Sequence, residues 1–409
     1  MKKLISILLL TTILFGLCAC GNDAAPPETT AAAPQYNWPT INEKLTWDAI
    51  NAFPIKTSDM TVEQMRDLCV DFFYFSKTAL WIPNQNWQYT IASSGKGDEM
   101  IMGQIYGGLP YITNGGGNVY RLMDYIDEAT GVVDMTEPMK NPTLFGNQCS
   151  YGSYWGWARV INSATFNSTP HLVHNNGFLR VGPYTYPDSL TQFTDTHAII
   201  KENGPDVMFA SYAQLQHGDG VVYFIEDGHV MMIKTDPVVV YTADGKIDGN
   251  ESYLYIVDQH GAWTEDKNEA GDTFTHKNYI NKKFTFNELM VQGYLPFTFA
   301  EFTGADPVEE TQCTFSYTGD TITPMDVNAG TVTSNYGVSH IYAQVLDKDG
   351  NIVLSTVSME HKPTYTLNFN RKIDIDQWNA YTDGNYTVQI VAQLGTGERP
   401  TVYTGKLVK

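Results

Sequence analysis

The sequence predicts an α+β domain followed by an all-β domain, and three observations carry that division. An amphipathic helix opens the folded part at Thr61, strands dominate from Val221 to about Phe299, and from Cys313 on only short alternating strands remain. A chain of 409 residues is too long for one ordinary core. Its 43% hydrophobic content, with 13% aromatics, is enough to build real cores. The abundance of Tyr and Phe favours strands. The two domains are expected over residues 41–305 and 306–409.

The first residues belong to neither. MKKLISILLLTTILFGLCACGND opens on Lys2-Lys3, runs apolar from Leu4 to Leu17 and ends in small residues, the anatomy of a secretory signal. Leu17-Cys18-Ala19-Cys20 resembles a bacterial lipoprotein box. That resemblance implies a signal over residues 1–20, with Cys20 lipidated and the protein held at the outer face of the cell membrane through its acyl chains alone. Residues 21–40, rich in Ala, Pro and Thr, are expected to be a flexible tether. The remaining thiols are Cys69, Cys149 and Cys313. An odd number at wide spacing predicts neither a disulfide framework nor a cysteine-based metal site. The net charge of −20 argues against nucleic acid as a partner, because phosphate binding needs clustered Lys and Arg.

Along the folded part, Thr61 and Gln64 form a capping box ahead of Met65, Leu68, Cys69, Phe72, Phe75 and Ala79 on one helix face. That helix should end before Pro83 and carry Cys69 into the core as a small hydrophobe. From Gln88 to Leu144 the pattern is mixed and turn-rich. Its run Thr113-Asn114-Gly115-Gly116-Gly117-Asn118 is not a phosphate loop, since no Lys-Ser/Thr follows. A second helix is predicted from Cys149 through CSYGSYWGWARVIN, with Tyr151, Tyr154, Trp155 and Trp157 as packing residues. GDGVVYFIEDGHVMMI reads as a hairpin broken at Glu226-Asp227-Gly228, with His229 opening the second strand. The next strand runs from Ser252 to His260. Toward the C-terminus, Asp383-Gly384-Asn385-Tyr386-Thr387-Val388 resembles the turn-then-tyrosine pattern of immunoglobulin-like sandwiches, which implies such a β-sandwich over 306–409 as a spacer or binding module.

Chemistry concentrates at two places. Cys149 follows a turn and begins a helix, where unpaired N–H groups and the dipole favour a thiolate. His229 is the imidazole that could face it, and a third polar group would then fix the ring. Asp258 and His260, two apart on one strand face, both qualify. Among the other histidines, His171 and His174 sit in a polar loop and His217 is expected to be exposed. His197, His276, His340 and His361 show no partner pattern.

Gly108-Leu109-Pro110-Tyr111, Gln148-Cys149-Ser150, Leu215 with Gly218-Asp219 and Val221, and Gly228-His229-Val230 together resemble the successive motifs of NlpC-type and CHAP-type peptidases and amidases. These are bacterial papain-like enzymes that mostly cleave peptidoglycan peptides or their amide link to the sugar. The resemblance covers roughly residues 100–265 and implies a papain-like α+β domain. It makes Cys149 the nucleophile and His229 the general base, with Tyr111 and Gln148 beside the substrate and no cofactor. The CHAP branch favours Asp258 as the orienting residue; the NlpC branch favours His260. Gln148 stands where the NlpC branch usually has Asp, and the stretch between Tyr111 and Cys149 is longer than in either branch. The expected function is a membrane-tethered hydrolase of a peptide or amide bond, with peptidoglycan as substrate. The alternatives are an inert surface-binding lipoprotein and a cysteine peptidase acting on non-wall protein.

Overall fold

The computed structural model describes residues 44–408 apart from 92–95, 163–177, 187–190, 192–193, 269–270, 306–307, 372 and 382–383. The signal, the tether, Cys20, His171 and His174 lie outside the described residues. What is described is a mixed α and β architecture with many strands and few helices.

The capping box forms as its residues suggest: Gln64 N–H donates to Thr61 Oγ1, and Thr61 N–H donates to the Gln64 side chain. It starts a long helix over Val62–Thr78, and Leu80–Pro83 then continues as a strand. Met65, Leu68, Cys69 and Phe72 are buried, and so are Val70, Phe73 and Lys77; Phe75 is only partly covered.

Beside it lies the cysteine helix, Cys149–Trp157, all nine residues of which are buried. It stops short of the expected run to Asn162. Arg159 and Val160 donate back only three residues, to Gly156 and Trp157, which tightens the last turn and ends the helix. Arg159 then reaches the Tyr120 hydroxyl and Pro54 carbonyl.

Both helices cover a six-stranded sheet in the order Lys282–Thr285, Tyr253–Val257, Gly228–Ile233, Gly220–Phe224, Leu295–Thr298 and Leu179–Arg180. Every pairing in it is antiparallel. The expected hairpin is its centre, with Tyr223 opposite His229. Gly218, at φ 84°, makes the left-handed turn that enters it, and its carbonyl accepts from Trp157 Nε1 at 2.6 Å. One residue on, the Asp219 carboxylate pairs with Arg66 of the long helix at 2.8 Å, both side chains being buried. A second, mixed sheet of short strands includes Leu80–Pro83 and Tyr106–Gly107.

After residue 308 the chain builds a third sheet around Thr331–Leu346, a 16-residue strand. Its first residues pair with Cys313–Phe315, and its later ones with Thr387–Leu394. Register breaks between Thr333 and Val338 and again before His340 separate the two halves, the local effect of a bulge. The six strands are thus hydrogen-bonded into one network, and two short helices, Pro324–Ala329 and Ile375–Asn379, accompany them. The region is therefore not purely β. Trp378 of the second helix is fully buried in its core. This sheet also grips the preceding part of the chain. Arg121 donates through Nε and Nη2 to the Ser339 carbonyl, and the Tyr342 hydroxyl donates to Asp124.

Candidate active site

The placement of Cys149 starts with the backbone before it. Ile112 N–H donates to the Asn147 carbonyl and Asn147 N–H to the Pro110 carbonyl, each at 3.0 Å. Gly117 N–H bonds to Gly146 and Gln148 N–H to Gly115. The glycine run is therefore a rail that aligns the segment entering the cysteine helix. It also sets Tyr111 alongside. Asn114, at φ 61°, donates its N–H to Gln148 Oε1 at 2.8 Å, while Gln148 Nε2 donates to Ser150 Oγ at 3.1 Å. Gln148, expected at the substrate, thus has both ends of its amide engaged inside the protein. No side chain caps the helix it precedes.

The thiol that results is 4% exposed, with Sγ 3.9 Å from the Gly228 carbonyl. The His229 ring and the Tyr111 hydroxyl are near enough for the sulfur to raise the pKa of each. Strand register brings in the third group. Val257 pairs with Met232, so the next position falls opposite Met231 and shares the face of Met231 and His229. Asp258 occupies it. Its Oδ2 lies 2.6 Å from His229 Nε2 and its Oδ1 accepts from Tyr279 N–H at 2.8 Å, with the Asp258 side chain fully buried. Because Nε2 faces Asp258, Nδ1 is the nitrogen left for the thiol. Burial alone lowers the imidazole pKa. The Asp258 hydrogen bond and the Cys149 anion outweigh it and push the ring up to about 10.

His260 is not part of this chain. The backbone leaves the strand after Val257, with His260 N–H bonded to the Lys277 carbonyl. Its ring lies against Tyr279 at 4.0 Å between centroids, and Nδ1 accepts from Ala262 N–H. Burial lowers its pKa. Strand spacing allows either Asp258 or His260, and the geometry brings only Asp258 to His229.

Tyr111, Gly228 and His229, which surround the thiol, line a cleft of about 390 Å³ whose other walls include Tyr223, Tyr279 and Tyr294. A larger cavity of about 540 Å³, lined by Phe53, Arg159 and Arg399, shares no residue with it. His217 is more enclosed than expected, at 13% side-chain exposure, with Nδ1 2.9 Å from Asp236 and Nε2 3.3 Å from Asp67. Glu63, Asp67 and His217 form the one group among the described residues with metal-ligating atoms mutually within 4.8 Å, and two of the three are exposed carboxylates.

Two residues beside the site escaped the sequence reading. Gln259 alternates to the helix side of the sheet, where its Nε2 donates to the Leu109 carbonyl at 2.9 Å. Its Oε1 accepts from Lys77 Nζ at 2.5 Å. Lys77 continues the buried spacing Cys69, Phe73, Lys77 on the long helix, a signal that was present in the sequence. No family model, curated protein or solved structure matches the chain.

Proposed function

We propose that the protein is a papain-like cysteine hydrolase that cleaves a peptide or amide bond of peptidoglycan from the outer face of a bacterial membrane. The observation that carries this reading is the chain Cys149–His229–Asp258, with the thiol at the first residue of a helix that no side chain caps. In this reading the Cys149 thiolate attacks the scissile carbonyl carbon, and the electron pair moves to its oxygen. In this reading helix N-terminal N–H groups and the Tyr111 hydroxyl donate to that oxyanion. The C–N bond then breaks, the His229 imidazolium protonates the departing nitrogen, and a thioester remains on Sγ. Neutral His229 next takes a proton from water, whose oxygen displaces the thiolate. Asp258 holds the ring in register throughout.

Peptidoglycan is favoured by two sequence features: the lipoprotein-box pattern ending at Cys20, which predicts lipidation there, and the spacing that resembles NlpC-type and CHAP-type enzymes. The C-terminal region is read as an immunoglobulin-like spacer or binding module, a reading its long bulged strand supports. The test is release of peptide fragments from purified cell walls by the protein and by Cys149→Ala. Release that disappears in the variant supports the hydrolase. Wall binding without turnover by either protein supports an inert binding lipoprotein, and turnover of casein but not of walls supports a peptidase of other proteins.

A further inference from the structure

We infer that Lys77 is a positioning residue for the Cys149 thiolate: from beneath the cysteine helix, its ammonium supplies the second buried positive charge that the thiolate and Asp258 require. The inference rests on the reading of Cys149 as a nucleophile and extends it to a residue from the other end of the fold.

Lys77 lies in the last turn of the long helix with 1% of its surface exposed. Its Nζ meets the neutral amide of Gln259 and the face of Phe73 at 4.9 Å. Among the described residues no carboxylate forms an ion pair with it. A buried ammonium without a paired anion is costly, so the nearest negative groups matter. Those acting on it are Asp258 and Cys149. The space is kept open by Gly152, one turn along the helix from Cys149. A Cβ there would stand 3.0 Å from Nζ and 3.3 Å from Gln259 Cβ.

Charge balance gives the arrangement its purpose. With His229 protonated, the thiolate and Asp258 carry two negative charges and the imidazolium only one positive. Lys77, when protonated, closes the count from beneath the cysteine helix. Burial lowers its own pKa to about 7, against the opposing pull of Asp258 and Cys149. Gln259 fixes where the charge sits. Its carbonyl oxygen accepts a hydrogen bond from the ammonium, and its amide nitrogen is anchored on the Leu109 carbonyl, two residues before Tyr111.

The experiment follows iodoacetamide alkylation of Cys149 against pH by peptide mass spectrometry, in the wild type, Lys77→Met and Gln259→Glu. Thermal melts identify folded variants, and Cys313 in the same samples is the reference thiol. Lys77→Met removes the charge, whereas Gln259→Glu keeps it but pairs it with a new carboxylate. The expected result is a Cys149 midpoint raised by about one pH unit or more in either folded variant, roughly a tenfold loss of rate on the acid side. A merely space-filling lysine would leave the midpoint in place, and an unchanged midpoint in a folded variant overturns the inference while the nucleophile reading stands. If wild-type Cys149 shows no advantage over Cys313, the nucleophile reading fails and the inference fails with it.

Discussion

At His229 two opposing influences meet, and their sum decides what the site can do. Burial favours the neutral ring; a carboxylate at 2.6 Å and an anionic sulfur favour the cation, and the cation wins. The alkaline limb of the hydrolysis profile should then lie near pH 10, where the imidazolium that protonates the leaving group disappears; a limb near 6.5 would contradict the ion pair. Asp258→Asn should lower turnover by roughly 10²–10⁴-fold, as loss of an orienting carboxylate does elsewhere. His260→Gln should leave turnover near the wild-type level, and comparing kcat for the two variants checks both statements. Spacing could not choose between these residues, because positions two apart share a strand face. The choice was made by the backbone, which departs from the strand after Val257 and carries the His260 ring onto Tyr279. Lys77 was legible in principle from its place four residues after Phe73. A lysine in the last turn of a helix reads first as a solvated partner of the dipole.

Among the elements, those governed by local chemistry follow the sequence most closely. The capping box starts the long helix at its expected residue, and the turn at Glu226-Asp227-Gly228 makes the expected hairpin. What local patterns omit is how the elements are fastened. Arg66 and Asp219 lie 153 residues apart, yet their buried pair ties the long helix to the turn that starts the hairpin. Arg66→Ala should destabilise the fold by about 3–5 kcal/mol, because it strands the Asp219 carboxylate without a counter-charge. Urea unfolding measures this, and a loss well under 1 kcal/mol would show that the pair contributes little. The end of the cysteine helix was also hidden. Nothing in YWGWARVIN breaks a helix, and the turn after Trp157 comes with Arg159 reaching partners 39 and 105 residues away.

Over the whole molecule, the sequence conveys the change of character near residue 305 but not how closely the two regions interlock. His340 bonds to Ser339 and to Tyr342, and the latter bonds to Asp124, so a buried histidine without a sequence partner stands in a chain that runs out to an exposed carboxylate. Burial, with Arg121 and Arg399 nearby, holds its pKa well below the ordinary value; burial likewise holds His276 at about 4. Both rings therefore bind protons more readily unfolded than folded. Their contribution is intact above about pH 6.5 and is lost as pH falls through 6.5 toward the folded values, by roughly 1 kcal/mol per unit per histidine. Melting temperature should drop between pH 6.5 and 4, and His276→Gln should flatten that drop; an unchanged slope would place the acid sensitivity elsewhere.

The most direct test of the central claim compares Cys69, Cys149 and Cys313 in the wild-type protein. Cys69 is sealed in the core, with burial raising its pKa, and Cys313 is partly exposed, with burial raising it to about 11. Neither should react with iodoacetamide at pH 6. If Cys149 reacts there and its neighbours do not, the imidazole at position 229 holds a thiolate as described. If all three thiols stay unmodified until the solution becomes alkaline, there is no thiolate–imidazolium pair and the hydrolase reading falls.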